Sequence, residues 1–160
     1  RNVTGVQTCA LPIYHKVRLS PAPSFDLDIE IKVQQLVKDL IAKKVVQSAH
    51  DVSDGGLFIT LCESAMSRNF GFNIETDFDC RADAFLFGEA QSRVVVSVNE
   101  EQLDDFLEIV SKSDVEWENI GQVTDGEIAI DEMSFGNIAE AKALYDNALN
   151  KLFEIGRAHV

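Results

Sequence analysis

The run His50-Asp51-Val52-Ser53-Asp54-Gly55-Gly56 gathers an imidazole, two carboxylates, a hydroxyl and a glycine pair. It lies between the strand formers Val45 and Val46 and a set of apolar residues at helical spacing, Leu57, Phe58, Leu61, Cys62 and Ala65. A strand-to-helix joint of this kind can hold a phosphate. Unpaired amides at the helix start point at the anion, glycines let it come close, and aspartates can hold its magnesium ion. The structural alternative is equally concrete: Asp51, Ser53 or Asp54 can cap the helix, and Gly55-Gly56 can let helix and strand pack tightly. The run is neither a Gly-x-x-x-x-Gly-Lys-Ser/Thr phosphate loop nor a Gly-x-Gly-x-x-Gly fingerprint, so a nucleotide here would be held in another way. His50 is a candidate general base or the hydrogen-bonded companion of an aspartate.

A second polar group, Phe87-Gly88-Glu89-Ala90-Gln91-Ser92-Arg93, leads into the β-branched run Val94-Val95-Val96. Glu89, Gln91 and Arg93 offer a carboxylate, an amide and a guanidinium suited to gripping a polar, phosphorylated ligand. Arg93 can equally bridge to an acid of the preceding helix. No serine or cysteine stands with a base in a known nucleophilic pattern, so no catalytic residue is assigned.

The elements that must position these groups follow from periodicity. Asp26 to Lys44 predicts a helix with Ile29, Val33, Leu36, Val37, Leu40 and Ile41 on its inner face, acids in the first turn, and Lys43 and Lys44 in the last. Val45 to Ala49 predicts a strand, Gly55 to Ser67 a helix, Gly71 to Thr76 a strand, and Asp77 to Cys80 a turn. Ala82 to Phe87 reads as a short apolar turn or helix, Gln91 to Val98 as a buried strand, and Glu100 to Lys112 as a helix packed through Leu103, Phe106, Leu107 and Val110. The acids at 100, 101, 104, 105 and 108 form its solvated face. Val115 to Val123 and Glu127 to Asp131, joined by Thr124-Asp125-Gly126, predict a hairpin. Ile138 to Phe153 closes as a helix with Ile138, Ala141, Leu144, Tyr145, Ala148, Leu149 and Leu152 inward. Upstream, Tyr14 to Leu19 alternates like a strand before the rigid Pro21-Ala22-Pro23-Ser24 link. Strands and helices mostly alternate, but the hairpin favours an α+β sandwich with a mixed sheet over a fully parallel one.

The two ends have another origin. Gln7 to Ile13 can be encoded by a nucleotide string whose reverse complement, read one base in, translates to Ile155-Gly156-Arg157-Ala158-His159-Val160. Two protein termini have no reason to be reverse complements, and the string resembles a synthetic sequencing adapter. Residues 1–13 and 155–160 are therefore expected to be translated adapter, with 14–24 an incoming strand and linker from a missing upstream domain and 25–154 the domain proper. The nominal glycosylation pattern Asn2-Val3-Thr4 falls away with them.

Without Arg1 and Arg157 the 14 basic residues become 12 against 27 acidic ones, and the net charge moves from −13 to −15. The acids spread along the chain, which argues against nucleic acid or an anionic membrane as principal partner. No apolar run approaches the ~20 residues that span a bilayer, and no signal peptide is visible. Outside the flanks, Cys62 and Cys80 lack metal-site spacing and read as thiols of a reducing compartment. A soluble cytoplasmic domain is expected.

Ser48-Ala49-His50-Asp51-Val52-Ser53-Asp54-Gly55-Gly56-Leu57, Phe87-Gly88-Glu89-Ala90-Gln91-Ser92-Arg93 and Ile120-Gly121-Gln122-Val123, together with the upstream Leu19-Ser20-Pro21-Ala22-Pro23, resemble the C-terminal region of the phosphoribosylformylglycinamidine synthase family. That family belongs to the aminoimidazole ribonucleotide synthetase superfamily. The resemblance implies a three-layer α/β/α domain closing the second half of a two-half ligase. The whole enzyme converts formylglycinamide ribonucleotide, ATP and glutamine-derived ammonia to the amidine in de novo purine biosynthesis.

It also implies ATP and Mg2+ in the full-length enzyme, a structurally bound ADP, and assembly with the rest of the synthetase chain, a glutaminase subunit and a small bridging subunit. Most catalytic, magnesium and nucleotide residues of the family lie outside this stretch, so the fragment alone is expected to be inactive. The first half's counterpart of the 89–93 loop reads Glu-Ser-Gln-x-Arg and touches substrate; here Ala90 replaces the serine. Glu89, Gln91 and Arg93 are carried over as substrate-loop counterparts, and His50, Asp51, Ser53, Asp54, Gly55 and Gly56 as nucleotide- or phosphate-binding candidates. Two alternatives stand beside this: a non-catalytic module for nucleotide support and subunit assembly, or another superfamily member such as selenophosphate synthetase or thiamine-monophosphate kinase, against which the 87–93 loop speaks.

Overall fold

Asp26 opens the first helix, α1 (Leu27–Ala42), by accepting the amide hydrogens of Asp28 at 2.9 Å and Ile29 at 3.2 Å. Two otherwise orphaned donors are satisfied, and Asp28 and Glu30 place negative charge where the helix dipole favours it. The helix ends before the two lysines expected in its last turn. Lys43 caps it and Lys44 turns left-handed at φ 56°, letting the Val45 amide return to the Leu40 carbonyl at 3.1 Å. Val33 and Leu40 are buried, whereas Ile29 and Ile41, expected on the inner face, are more than half exposed.

The computed structural model describes Lys16, residues 25–76 and residues 81–157, with side chains as far as 149. The expected strand at 14–19, the 21–24 link, the 77–80 turn with Cys80, and the flank 1–13 lie outside the described residues, Lys16 apart. The chain divides into two units, one built from 25–64 and 81–119, the other from 65–76 and 120–157.

In the first unit, β1 (Ser48–Asp51) pairs antiparallel with β3 (Val94–Ser97), His50 opposite Val95 and Asp51 opposite Val94. The strand expected at 45–49 thus begins three residues later. Val45 is used for packing instead, buried with Leu40, Phe106 and Val110 in one apolar cluster. The strand expected over 91–98 shortens to Val94–Ser97 and is half-buried, because Ser92 stands at φ 62° and breaks the extended chain. Helix α2 (Gly56–Met66) follows β1, and α3 is the short Ala82–Phe87. A 3-10 turn at Glu100–Gln102 leads into α4 (Leu103–Ser111), which buries Phe106 and Val110 but leaves Leu103 exposed. Phe106 meets Trp117 edge to face, with ring centroids 5.9 Å apart.

The second unit is a mixed four-stranded sheet in the order β4 (Gly121–Thr124), β2 (Gly71–Ile74), β5 (Glu127–Ile130), β6 (Met133–Asn137). The α+β class with a mixed sheet is the one expected. The predicted hairpin is not. β4 and β5 do not pair with each other; β2 inserts between them, antiparallel to β4 and parallel to β5, with Phe72 and Ile74 buried. The Asp125-Gly126 connection crosses the start of β2, and it can do so because Gly71 has no side chain. A Cβ there would fall on the Glu127 backbone and 2.5 Å from Thr124 Oγ1.

The true hairpin is β5–β6. Its turn residues Asp131 and Glu132 stand at φ 51° and 64°, the left-handed pair that a two-residue type I′ turn needs. Asp131 is held there by its carboxylate, which accepts the Thr76 amide at 2.6 Å and the Thr76 hydroxyl. The closing helix α5 (Ile138–Arg157) buries Ile138 completely, but Leu144, Tyr145 and Leu149 are 63%, 62% and 67% exposed. Among the side chains described, which end at residue 149, the buried part of the expected inward face lies at the helix start, and the Leu152 side chain is outside them. Strands of four or five residues reach roughly 13–17 Å, about half the ~30 Å of a 20-residue helix.

Candidate functional site

The two polar segments singled out in the sequence meet in the first unit. Glu89 Oε1 accepts the Gly55 amide hydrogen at 2.8 Å, so the helix-start donor that could face a ligand anion faces a carboxylate of the chain itself. Gly55 and Gly56 stand at φ 86° and 73°, in the left-handed region where glycine carries no Cβ penalty. At Gly56 a Cβ would also lie 2.6 Å from the Phe87 carbonyl carbon and 2.8 Å from the Leu86 carbonyl oxygen. Gly56 therefore lets the end of α3 press against the start of α2, and Phe58 and Phe87 pack with centroids 5.7 Å apart.

Arg93 turns back toward α3. Its guanidinium donates to the Gly88 carbonyl at 3.2 Å and the Phe85 carbonyl at 3.5 Å, and lies over the Phe85 ring, 5.5 Å from its centroid. Ser92 donates to Glu30 Oε2 at 2.5 Å, and Gln34 donates to the other Glu30 oxygen at 2.7 Å. The Ser92 and then the Gln34 hydrogen bond hold the Glu30 carboxyl below its usual range. Gln91 is exposed at the loop tip.

A pocket of about 600 Å³ opens beside these residues, between α1, the end of β1 and the 91–94 segment. Val33, Val37, Val52 and Val94 give it apolar walls; Asp51, Gln91, Ser92 and Arg93 bring in polar groups from both sequence segments. His50, Ser53, Asp54, Gly55, Gly56 and Glu89 are not among its lining residues. Glu30 and Gln34, which are, went unremarked in the sequence. Glu30 read simply as a first-turn acid, and the left-handed Ser92 that meets it had no local signal.

His50 lies in β1 and not in the turn. Its Nδ1 donates to the Asp51 carbonyl at 2.8 Å, with Asp51 Oδ1 at 3.8 Å and Glu63 Oε2 3.6 Å from Nε2. Thr60, almost fully buried, also donates to the Asp51 carbonyl, at 3.4 Å. These contacts tie the end of β1 to α2. Ser53 accepts the Gly56 amide through its carbonyl at 3.0 Å, and Asp54 is exposed. Among the described residues no three His, Cys, Asp or Glu side chains converge as a metal site, so Asp51 and Asp54 do not by themselves make a magnesium centre. Cys62 is buried, and burial pushes its thiol up to about 11. Among the described residues no helix is long and apolar enough to cross a membrane.

Sheet order, glycine-packed helix start and polar loop define a recognisable class. Residues 22–131 match the family described as AIR synthase related protein, C-terminal domain, and the chain belongs to that family. Within it, this chain is similar to phosphoribosylformylglycinamidine synthase subunit PurL. It is 34% identical over 138 residues to the protein of Caldanaerobacter subterraneus subsp. tengcongensis, covering 86% of this chain and 18% of that relative. It is 41% identical over 126 residues to that of Salinibacter ruber, covering 75% and 16%. The chain thus spans less than a fifth of the length of these relatives.

Two solved Thermotoga maritima structures share the fold. The PurLQS structure gives a TM-score of 0.60 at 18% identity, over 76% of this chain and 22% of that one. PurL complexed with ATP gives 0.57 at 16% identity, over 68% and 20%.

Proposed function

We propose that this chain is the C-terminal domain of the second half of a phosphoribosylformylglycinamidine synthase. As part of that enzyme it serves the ATP-dependent ligation that turns formylglycinamide ribonucleotide and glutamine-derived ammonia into the amidine in purine biosynthesis. The observation that carries the reading is the 34–41% identity to synthase subunits over most of the chain, joined to the family match at 22–131. Residues 25–154 are the domain in this reading, 14–24 its incoming strand and linker, and 1–13 and 155–160 translated adapter; the reverse complementarity of the two ends supports the last point. A cytoplasmic location and assembly with the rest of the synthetase chain, a glutaminase subunit and a small bridging subunit go with it, supported by the PurLQS structure of a relative.

ATP and Mg2+ belong to the full-length enzyme, and a relative's complex with ATP supports the nucleotide. The metal ligands come from elsewhere in the synthase, since the described acids do not converge here. The role we propose for this domain is a supporting one beside a structural ADP, whose phosphates would be held elsewhere than at the Gly55 amide, which Glu89 already occupies.

Grafting residues 25–154 in place of the matching domain of a PurL relative tests the function. The chimera is expected to make amidine from ATP, ammonia and formylglycinamide ribonucleotide, while the 160-residue chain alone makes none. Amidine from the isolated chain, or a folded but inactive chimera, would sink the reading. Asp51→Ala with Asp54→Ala in that chimera separates the roles: lost ADP retention at unchanged turnover supports the supporting role.

A further inference from the structure

Three polar groups of the 87–93 loop already have partners within the chain. Glu89 is spent on the Gly55 amide, 2.8 Å away across the joint. Arg93 is spent on the Gly88 and Phe85 carbonyls and the Phe85 ring. Ser92, held left-handed, is spent on Glu30 of α1. Gln91 remains: it is exposed, it lines the pocket between α1, β1 and the 91–94 segment, and its amide meets no hydrogen-bond partner among the described residues. The loop is thereby fixed on both sides of its tip, to α2 through Glu89 and to α1 through Ser92.

We infer that Glu89 and Arg93 are positioning residues, which hold the loop so that the Gln91 carboxamide, and neither charged group, meets a nucleotide at the mouth of this pocket. The inference rests on the synthase reading. An uncharged carboxamide donates and accepts at once, which suits the hydroxyls and ring nitrogens of a nucleoside, whereas the Arg93 guanidinium is drawn back toward the Gly88 and Phe85 carbonyls by two of its five donors. Glu89 acts through geometry in this scheme. An amide oxygen at the same position would accept the Gly55 hydrogen as well as a carboxylate oxygen does.

The test uses the PurL chimera carrying residues 25–154, with ADP and magnesium as the probe in equilibrium dialysis. Gln91→Ala and Glu89→Ala are each expected to weaken ADP retention about tenfold, and the double variant to be no worse than either single one, because both remove the same contact. Glu89→Gln is expected to recover most of the loss. Arg93→Lys, which keeps the charge but gives up the planar fork, is expected to resemble Glu89→Ala. Amide exchange of Gly55 gives a readout independent of ligand: it accelerates in Glu89→Ala and not in Glu89→Gln.

Additive losses, or a Glu89→Gln variant as poor as Glu89→Ala, overturn the positioning role and make the charge itself a ligand contact. Unaltered Gly55 exchange in Glu89→Ala overturns the latch. A chimera that makes amidine but retains no ADP overturns the assignment of Gln91 alone, whereas a folded chimera that makes no amidine overturns the synthase reading instead.

Discussion

The Glu89 carboxylate and the Gly55 amide, 2.8 Å apart, join the two most polar stretches of the chain. A hydrogen bond to a charged group contributes about 1.5–3 kcal/mol, and the carboxylate sits where the α2 dipole favours negative charge. An incoming phosphate would have to displace Glu89 before it could use the same donor. The motif that resembles an anion cradle is therefore satisfied from within.

The fit at the glycine pair predicts unequal costs for the same substitution. Gly56→Ala adds left-handed strain and drives a Cβ into the Phe87 backbone, which cannot rotate away, so a loss of about 4 kcal/mol is expected. At Gly55 the obstructing atoms belong to the Ile59 side chain, 2.5 Å from the Cβ, and about 2 kcal/mol is expected. Urea unfolding followed by Trp117 fluorescence compares the two; equal midpoints would contradict the backbone contact.

Cys62 is expected to be inert in the folded chain. With its thiol pushed up to about 11, the thiolate fraction at pH 8 is roughly one in a thousand, and burial closes the approach as well. Mass-spectrometric mapping of iodoacetamide labelling should find Cys62 unmodified in native buffer and modified in guanidinium. Rapid native labelling would contradict its burial against α2's neighbours.

Periodicity revealed what depends on local pattern and missed what depends on partners. Helix α1 was legible because Asp26 caps it and Val33 and Leu40 repeat at helical spacing. The order of the sheet was not. Thr124-Asp125-Gly126 has hairpin chemistry, yet the decisive residue is Gly71, some fifty positions earlier, whose missing side chain lets the connection cross β2. The real hairpin turn, Asp131-Glu132, carries no glycine, and its left-handed backbone is stabilised by Thr76 from a distant part of the chain. At the site, residue types marked Glu89 and Arg93 correctly as polar loop members, but their inward orientation depends on Gly55 and Phe85, which no single stretch displays.

Helix α5 offers a contrast of the same kind. Ile138 is completely buried, so Ile138→Ala should cost about 2–5 kcal/mol, whereas Leu144→Ala, at a side chain 63% exposed, should stay within about 0.5 kcal/mol. Urea midpoints read by circular dichroism on the 160-residue chain test this. A large loss at Leu144 would mean that the helix face is covered in solution.

Asp131 links the second unit to pH. The Thr76 hydroxyl, and after it the Thr76 amide, hold its carboxyl below the ordinary aspartate range. A carboxyl with a depressed folded value stabilises the fold fully above its unfolded value of about 3.9, and that contribution disappears as pH falls through the folded value. Asp131→Asn keeps an oxygen for the Thr76 amide and tolerates the left-handed turn, but has no charge to lose. The wild-type chain should therefore exceed the variant in urea midpoint at pH 7, and the gap should close progressively below about pH 4. A gap that is the same at pH 7 and pH 3 would show that the ionised Asp131–Thr76 contact does not stabilise the turn.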